Sequence, residues 1–304
     1  MIKLYSKFIC TSDWHVRSST PKYRVDDFPE TIFNKIGWLV RLSNRLNYPI
    51  IVSGDIFHNV KVPIRTVNRL IRILRKCRNK IYCIAGQHDL EFHSDDLTPT
   101  PYQTLIEAGV IVNLGQEPID NIYGLSWNQE PRQCIEADKN SILVMHYCVT
   151  PENPAFFLED DALSAEEIMN IFSEFRFVIT GDYHKPHVYQ NKGKVLINSG
   201  SLCRSNRDQI EFEPRVYILD TDNSSVEEIK VPIKPGDVVF KVPDNDTKLD
   251  IEFSKHIETI LQSTKNGDDK PDFNTSVRRI MKDLQSTDRQ REIAEKFLKD
   301  ALEI

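Results

Sequence analysis

Ile50-Ile-Val-Ser-Gly-Asp-Ile-Phe-His58 is the stretch on which the reading of this chain turns. An apolar, strand-like run meets a serine, a glycine and then a carboxylate. Glycine lets the backbone approach its neighbours closely, so the stretch reads as a strand that ends in a polar loop. The same order recurs. Lys7 to Cys10 precedes Asp13-Trp-His15, Ile81 to Ala85 precedes Gly86-Gln-His-Asp89, Ile142 to Met145 precedes His146, and Phe177 to Ile179 precedes Gly181-Asp-Tyr-His184. In an α/β sheet the crevice beyond the carboxyl ends of the strands is where ligands bind, because loops converge there over a rigid platform. Polar groups gathered at five strand ends therefore point to one site.

Between these strands the pattern alternates. Helices are expected near 29 to 47, 63 to 77 and 101 to 108, between strands near 7 to 11, 50 to 53, 80 to 85 and 110 to 113. That alternation implies βαβ units. Further strand-like runs follow near 119 to 126, 142 to 146, 177 to 180, 187 to 190, 194 to 197, 215 to 220 and 226 to 231, with one helix near 164 to 174. The strand-rich second half predicts an α/β fold of two packed mixed β-sheets flanked by helices rather than a single parallel sheet. Around Pro232-Ile-Lys-Pro-Gly236 the composition shifts. A last strand-like Val238 to Val242 leads into a charged, glycine-poor tail with helical spacing over 251 to 263, 272 to 285 and 288 to 302. The predicted division is 1–232 for the site-bearing domain and 233–304 for a small helical region that docks on a partner or packs back on the chain's own core.

The 304 residues, 40% hydrophobic and 28% charged, describe an ordinary globular chain. No run approaches the roughly 20 apolar residues of a membrane helix, and the N-terminus lacks a signal-peptide h-region. The six cysteines form no Cys-x-x-Cys pair, which predicts reduced, mostly buried thiols and a cytoplasmic location. Net charge is −6, yet Lys61 to Lys80 carries eight Lys or Arg residues and no acid. There Arg65, Arg69, Arg72 and Arg75 stand at helical spacing beside an apolar stripe of Ile64, Val67, Ile71 and Leu74. Such a helix face is either simply solvated or a contact for phosphates or an acidic partner.

Asp13 and His15, two apart in extended chain, can reach one ion, and the two oxygens of Asp55 can bridge two. Carboxylates mixed with imidazoles suit Mn²⁺, Fe²⁺ or Zn²⁺ better than Ca²⁺ or a sulfur-rich site. Paired ions of this kind activate water for in-line displacement at an ester. Asp89 reads as support for the loop that carries His88, and Trp14 as packing or, at a rim, a surface on which a base could stack. His187 is either an alternative ligand or an outlying residue. His93 and His256 belong to no pattern.

On these motifs the chain resembles the calcineurin-like metallophosphoesterases over about residues 7 to 220. Within them Gly54-Asp-Ile-Phe-His58 with Pro63, and Asn198-Ser-Gly-Ser-Leu202 with Arg204, resemble the SbcD-type DNA repair nucleases. The resemblance implies that Asp13, His15 and His184 hold a first metal, that Asp55 bridges, and that Gln87, His146 and Asp182 complete a second. It also implies that His88 stabilises the transition state or protonates the leaving oxygen, with His58 placing the substrate beside it. Gln87 and Asp182 depart from the family's Asn and His, and both fall on the second metal. Asp and Gln there shift the expected preference toward Mn²⁺ or Mg²⁺. The implied function is a metal-dependent DNA nuclease with DNA as substrate and an SbcC-like ATPase as partner. The family is commonly dimeric, which implies a homodimer that no heptad pattern here supports. Only about 70 residues follow Pro232, so of the capping domain and the partner-binding helices that the resemblance implies, one is expected to be reduced or missing. Two other readings remain open: a phosphodiesterase or phosphatase of small nucleotides, and a catalytically weak DNA-binding scaffold.

Overall fold

The structure, a computed structural model, describes residues 5–94, 96–129, 137, 140–152, 162–205 and 209–240. The chain divides into two compact units, Met1–Asn153 with Asp161–Lys241 and Pro154–Asp160 with Val242–Ile304. Every described residue lies in the first unit. The helices expected over 251 to 263, 272 to 285 and 288 to 302 lie outside the described residues, as does His256.

Two mixed sheets carry the fold. In the first, β1 (Lys7–Thr11), β2 (Ile50–Val52), β3 (Ile81–Cys83) and β4 (Val112–Asn113) run parallel. β12 (Arg215–Asp220) pairs antiparallel with β1, and β13 (Ser225–Lys230) with β12. In the second, β5 (Ile122–Leu125), β6 (Ile142–His146), β9 (Phe177–Gly181) and β11 (Lys194–Asn198) are parallel, and β10 (His187–Asn191) closes the edge antiparallel to β11. β7 (Cys148–Thr150) and β8 (Ala162–Ser164) form a small parallel pair that the apolar pattern did not reveal.

Strand periodicity explains the layers. Side chains alternate faces along a strand, so Phe8 and Cys10 enter the core between the sheets with Ile142, Val144, Phe177 and Ile179. Ile9 faces the other way, onto Ile32, Ile36 and Leu39 of α1 (Phe28–Leu46) and Val67 and Leu70 of α2 (Ile64–Leu74). Leu143, Met145 and Val178 meet Ile168 and Met169 of α4 (Ala165–Ile171) on the outer side of the second sheet. The short α3 (Pro101–Glu107) completes the helical layer on the first sheet through Tyr102 and Leu105. The inner strands of both sheets are covered on both faces, which is why they read as unbroken apolar runs, while the edge strands β10 and β13 stay partly exposed. Cys10, Cys83 and Cys203 are buried and, like Cys77 and Cys148, form no disulfide among the described residues; Cys134 lies outside them.

Two expectations need correction. Ile64 is 66% exposed, and the buried stripe of α2 is Val67, Leu70, Ile71 and Leu74. Ile64 shares the helical face of Val67 and Ile71 but is the first residue of the helix, directly after Pro63, and stays exposed at that end. Val238 does not start a strand either. Gly236–Val239 forms the single turn α5 behind Pro235, whose fixed φ suits the entry to a helix, and Phe240 makes one isolated bridge to Arg24.

The sheets approach closely near Gly124 of β5, where a Cβ would lie 2.5 Å from the Leu114 Cβ and 2.8 Å from the Ile84 Cγ2. Overpacking of this kind costs roughly 1–3 kcal/mol. Gly124→Ala is expected to lower the urea midpoint of unfolding by a corresponding amount. Gly115→Ala, whose Cβ would meet nothing within 4 Å, is expected to leave that midpoint nearly unchanged.

Candidate metal centre

The ends of β1, β2, β6 and β9 are stitched together by short polar contacts. The Ser53 Oγ donates to the Thr180 carbonyl at 2.7 Å, and the Ser12 Oγ to the Ser53 carbonyl at 3.3 Å. The loops after β1 and β2 then zip to each other: Asp13 N to Gly54 O, His15 N to Asp55 O, Val16 N to Ile56 O and His58 N back to Val16 O, at 2.8–3.2 Å. Asp13, His15, Asp55 and Asp182 all adopt positive φ, from 48° to 79°. Non-glycine residues rarely sit there, and such conformations persist only where the surroundings hold them. Here the zipped loops are that support. Gly54, at φ 98°, could not be any other residue, since a Cβ would lie 2.1 Å from the His146 Nδ1.

Asp55 is the centre. It is fully buried, and its Oδ2 has no hydrogen-bond partner. Three imidazole nitrogens converge on that oxygen: His146 Nε2 at 3.6 Å, His15 Nε2 at 3.8 Å and His88 Nε2 at 3.9 Å. These separations exceed a hydrogen bond but suit ligands that share a cation. On the other side, the Asp13 Oδ1 lies 3.9 Å from His15 Nε2 and 3.8 Å from His184 Nε2, with the two imidazole nitrogens 3.0 Å apart. Three groups of candidate ligands result, each with its ligand atoms within 4.8 Å of one another: Asp13, His15 and His184; His15, Asp55 and His88; Asp13, Asp55 and His146.

The unpaired atoms test whether cations fit. Asp13 Oδ2, Asp55 Oδ2, Gln87 Oε1 and His146 Nε2 are buried without a hydrogen-bond partner, an expensive state for polar atoms unless something completes them. The His146 Nδ1 lies 2.7 Å from the Ser53 carbonyl, which only accepts. Nδ1 therefore carries the hydrogen, and the Nε2 lone pair faces Asp55. Gln87 is oriented by the same logic. Its Nε2 donates to the Asp182 Oδ1 at 2.7 Å, so its amide oxygen is the free acceptor. The donor set is hard oxygen and imidazole, and it fits divalent cations.

Electrostatics agree. Burial pushes the Asp55 carboxyl well above the usual carboxylate range, with Asp89 and Asp13 adding to the rise against the pull of His146. Burial also holds His15 well below an ordinary histidine, and the imidazoles of His184, His88, His58 and His146 push it further down. His146 is raised, since the carboxylates of Asp55, Asp13 and Asp182 outweigh a burial that works against its charge. Asp89 sits underneath. It accepts from Phe57 N at 2.8 Å and from Ile56 N and Gly86 N at 3.1 Å, while burial pushes its carboxyl up to about 6 against those donors. It thus locks the His88 turn to the Asp55 loop, the supporting role expected of it.

Of the site residues expected from the sequence, Asp13, His15, Asp55, His88, His146 and His184 fall in the groups of candidate ligands, whereas Asp182, His58 and His187 join none among the described residues. His88, expected to do proton chemistry, also stands in a possible ligand group. His58 stacks on His88 with ring centroids 5.5 Å apart and planes at 17°. Trp14 is wholly buried and donates to the Thr11 Oγ1 at 3.1 Å, so it packs and does not line a rim. Residue types alone did not reveal the backbone carbonyl of Ser53 as the partner of His146, nor Arg17 as a cation near His58. Burial first, and then Arg17, lower His58 to about 4. The position of Arg17, two residues past His15 at a strand end, was the only available signal. The side chains of Asp13 and Asp55 form a closed floor, while those of His88 and His184 are 40% exposed, and the site opens there.

Two sheets whose strand ends close on a carboxylate ringed by imidazoles define a site suited to divalent cations. Residues 7–224 match the calcineurin-like phosphoesterase superfamily domain, and the chain belongs to that superfamily, whose members use divalent metals. No curated protein matches the chain. Among solved structures it is similar to a novel archaeal phosphodiesterase, at 16% identity over 74% of this chain and 99% of that one, TM-score 0.41. It is also similar to a putative 5'-nucleotidase from Staphylococcus aureus, at 14% identity over 85% of this chain and 58% of the other, TM-score 0.49. A 5'-nucleotidase precursor from Thermus thermophilus matches at 11% identity over 86% and 59%, TM-score 0.42. The chain spans under three fifths of the length of either nucleotidase. No helix among the described residues is long and apolar enough to cross a membrane.

Asp89→Asn keeps the shape but replaces one accepting oxygen with a donor, leaving at least one of the three buried N–H groups unpaired. The expected loss is about 1–3 kcal/mol of unfolding free energy by chemical denaturation.

Proposed function

We propose that this chain is a DNA nuclease, the phosphodiester-cleaving subunit of an SbcCD-like repair or recombination complex. In this reading it works with two divalent cations, Mn²⁺ foremost, and an SbcC-like ATPase docks through residues 233–304. The observation that carries the reading is the stacking of His58 on His88 at the open edge of the site. Gly54-Asp-Ile-Phe-His58 is the segment that resembles the SbcD-type enzymes, and its last residue stands against the imidazole that would face the scissile phosphate.

Asp13, His15 and His184 would hold one cation, Gln87, His146 and Asp182 the other, with Asp55 between them. Bound there, the cations supply Lewis acidity and a water acidic enough to attack at neutral pH. The chain's own groups do the rest. The Asp55 Oδ1 accepts from the His88 backbone N at 3.0 Å, so the residue at the centre also fixes where the His88 ring begins. His88 then delivers a proton to the departing oxygen. His58 covers one face of that ring and restricts its swing. Arg17, close enough to depress His58, adds positive charge where a phosphate would enter.

Hydrolysis of linear duplex and single-stranded DNA in Mn²⁺, Mg²⁺ or chelator tests the reading. Cleavage is expected with Mn²⁺ and absent with chelator. His88→Ala is expected to lower it by about 10²–10⁴-fold, and Asp55→Ala to abolish it. Cleavage of bis(p-nitrophenyl) phosphate without cleavage of DNA would move the reading to a small-ester phosphodiesterase. DNA binding without hydrolysis of either substrate would move it to a scaffold. In equilibrium dialysis, Asp55→Ala is expected to reduce bound Mn²⁺ from about two per chain to fewer than one, since the bridging carboxylate serves both.

A further inference from the structure

The basic stretch from Lys61 to Lys80 plays no part in the site itself. In α2 the residues Arg65, Asn68, Arg72 and Arg75, together with Lys76 just beyond, recur at the three- and four-residue spacing of one helix face. All of them are exposed. Among the described residues none of Arg65, Arg72, Arg75, Lys76 or Arg78 has an ion pair; Arg69 pairs with Glu30 and Lys80 with Asp120. The neighbouring helix contributes to the same surface. Arg41 of α1 is exposed and, with Asn34, Asn44, Arg69 and Lys76, borders a groove of about 350 Å³ between α1 and α2, floored by apolar side chains such as Phe33 and Val40. A solvated helix face usually mixes both signs of charge. This one gathers cations from two helices in a chain whose net charge is −6.

We infer that the α2 ridge and the α1–α2 groove form a docking surface for the phosphodiester backbone of DNA, outside the hydrolytic centre. The inference rests on DNA as the substrate. Charge complementarity selects a polyanion, and position along the chain selects the nucleic acid: α2 begins six residues after His58, so the ridge leads away from the rim of the centre where the phosphate is cut. From Arg65 to Arg75 the helix rises about 15 Å, while duplex DNA carries one negative charge per about 1.7 Å of its axis, so the ridge faces several phosphates at once. Arginine and lysine held this way position the duplex and read no sequence.

The test compares the full chain with Arg65→Gln/Arg72→Gln/Arg75→Gln/Lys76→Gln, with a fluorescent DNA duplex titrated in EDTA over a range of salt concentrations. The variant is expected to bind at least about tenfold more weakly near 0.1 M salt. The slope of log K against log salt is expected to fall by about 2–4, close to 0.9 for each phosphate that the variant no longer neutralises. Hydrolysis of bis(p-nitrophenyl) phosphate with Mn²⁺ should be equal in both proteins, showing that the variant folds and that its centre is intact. If both proteins bind and cleave DNA alike, the ridge is overturned while the nuclease reading survives. If DNA binds through the ridge and is never cleaved, the ridge stands and the nuclease reading falls. Tighter, ridge-dependent binding of poly-L-glutamate than of DNA would assign the surface to an acidic protein and overturn the inference.

Discussion

A single buried carboxylate organises this molecule. Asp55 carries an oxygen with no hydrogen-bond partner in a region where an uncompensated charge is costly, and three imidazoles face it from loops on both sheets. The same residue accepts the His88 backbone N–H through its other oxygen and stands opposite His15 in the zipped loops. The geometry of one side chain thereby governs the candidate ligands and the placement of His88 together.

Holding that carboxylate in place requires strain elsewhere. Four residues of the centre lie in left-handed backbone, at a cost of order 1–3 kcal/mol each. The surrounding structure offsets this cost with a continuous ladder of loop hydrogen bonds, with Asp89 binding three N–H groups beneath the site, and with the serines that tie β2 to β9. The hydrophobic layers then make the sheets rigid enough for the ladder to matter. Rigid sheets below and left-handed loops above are the arrangement by which ligands from distant parts of the chain keep a fixed spacing.

Much of this was legible beforehand. Continuous apolar runs marked β1, β2, β6, β9, β11 and β12 nearly to the residue, because strands covered on both faces leave few polar positions to blur their limits. The amphipathic α1 and α2 were legible for the corresponding reason at helical period, although Ile64 misled, since the first helical turn need not share the burial of the rest. β7 and β8 were missed because each is three residues long, too short for a period to declare itself. Val238 misled because β-branched residues favour strands in isolation, while Pro235 and the packing of Phe240 against Arg24 and Arg204 set a turn instead.

The sequence by itself marked the candidates for chemistry, since a carboxylate or imidazole after an apolar run is a local pattern, and the order of such patterns pointed to the superfamily. Tertiary structure alone decided how those groups face one another: that Asp55 stands among three imidazoles, that the Ser53 carbonyl sets the tautomer of His146, that Asp182 turns the amide oxygen of Gln87 free, and that cations of α1 and α2 share a groove. These relations join residues tens of positions apart, up to 95 for Gln87 and Asp182. They follow from the pairing of strands and the packing of two sheets, and local propensity carries no record of them.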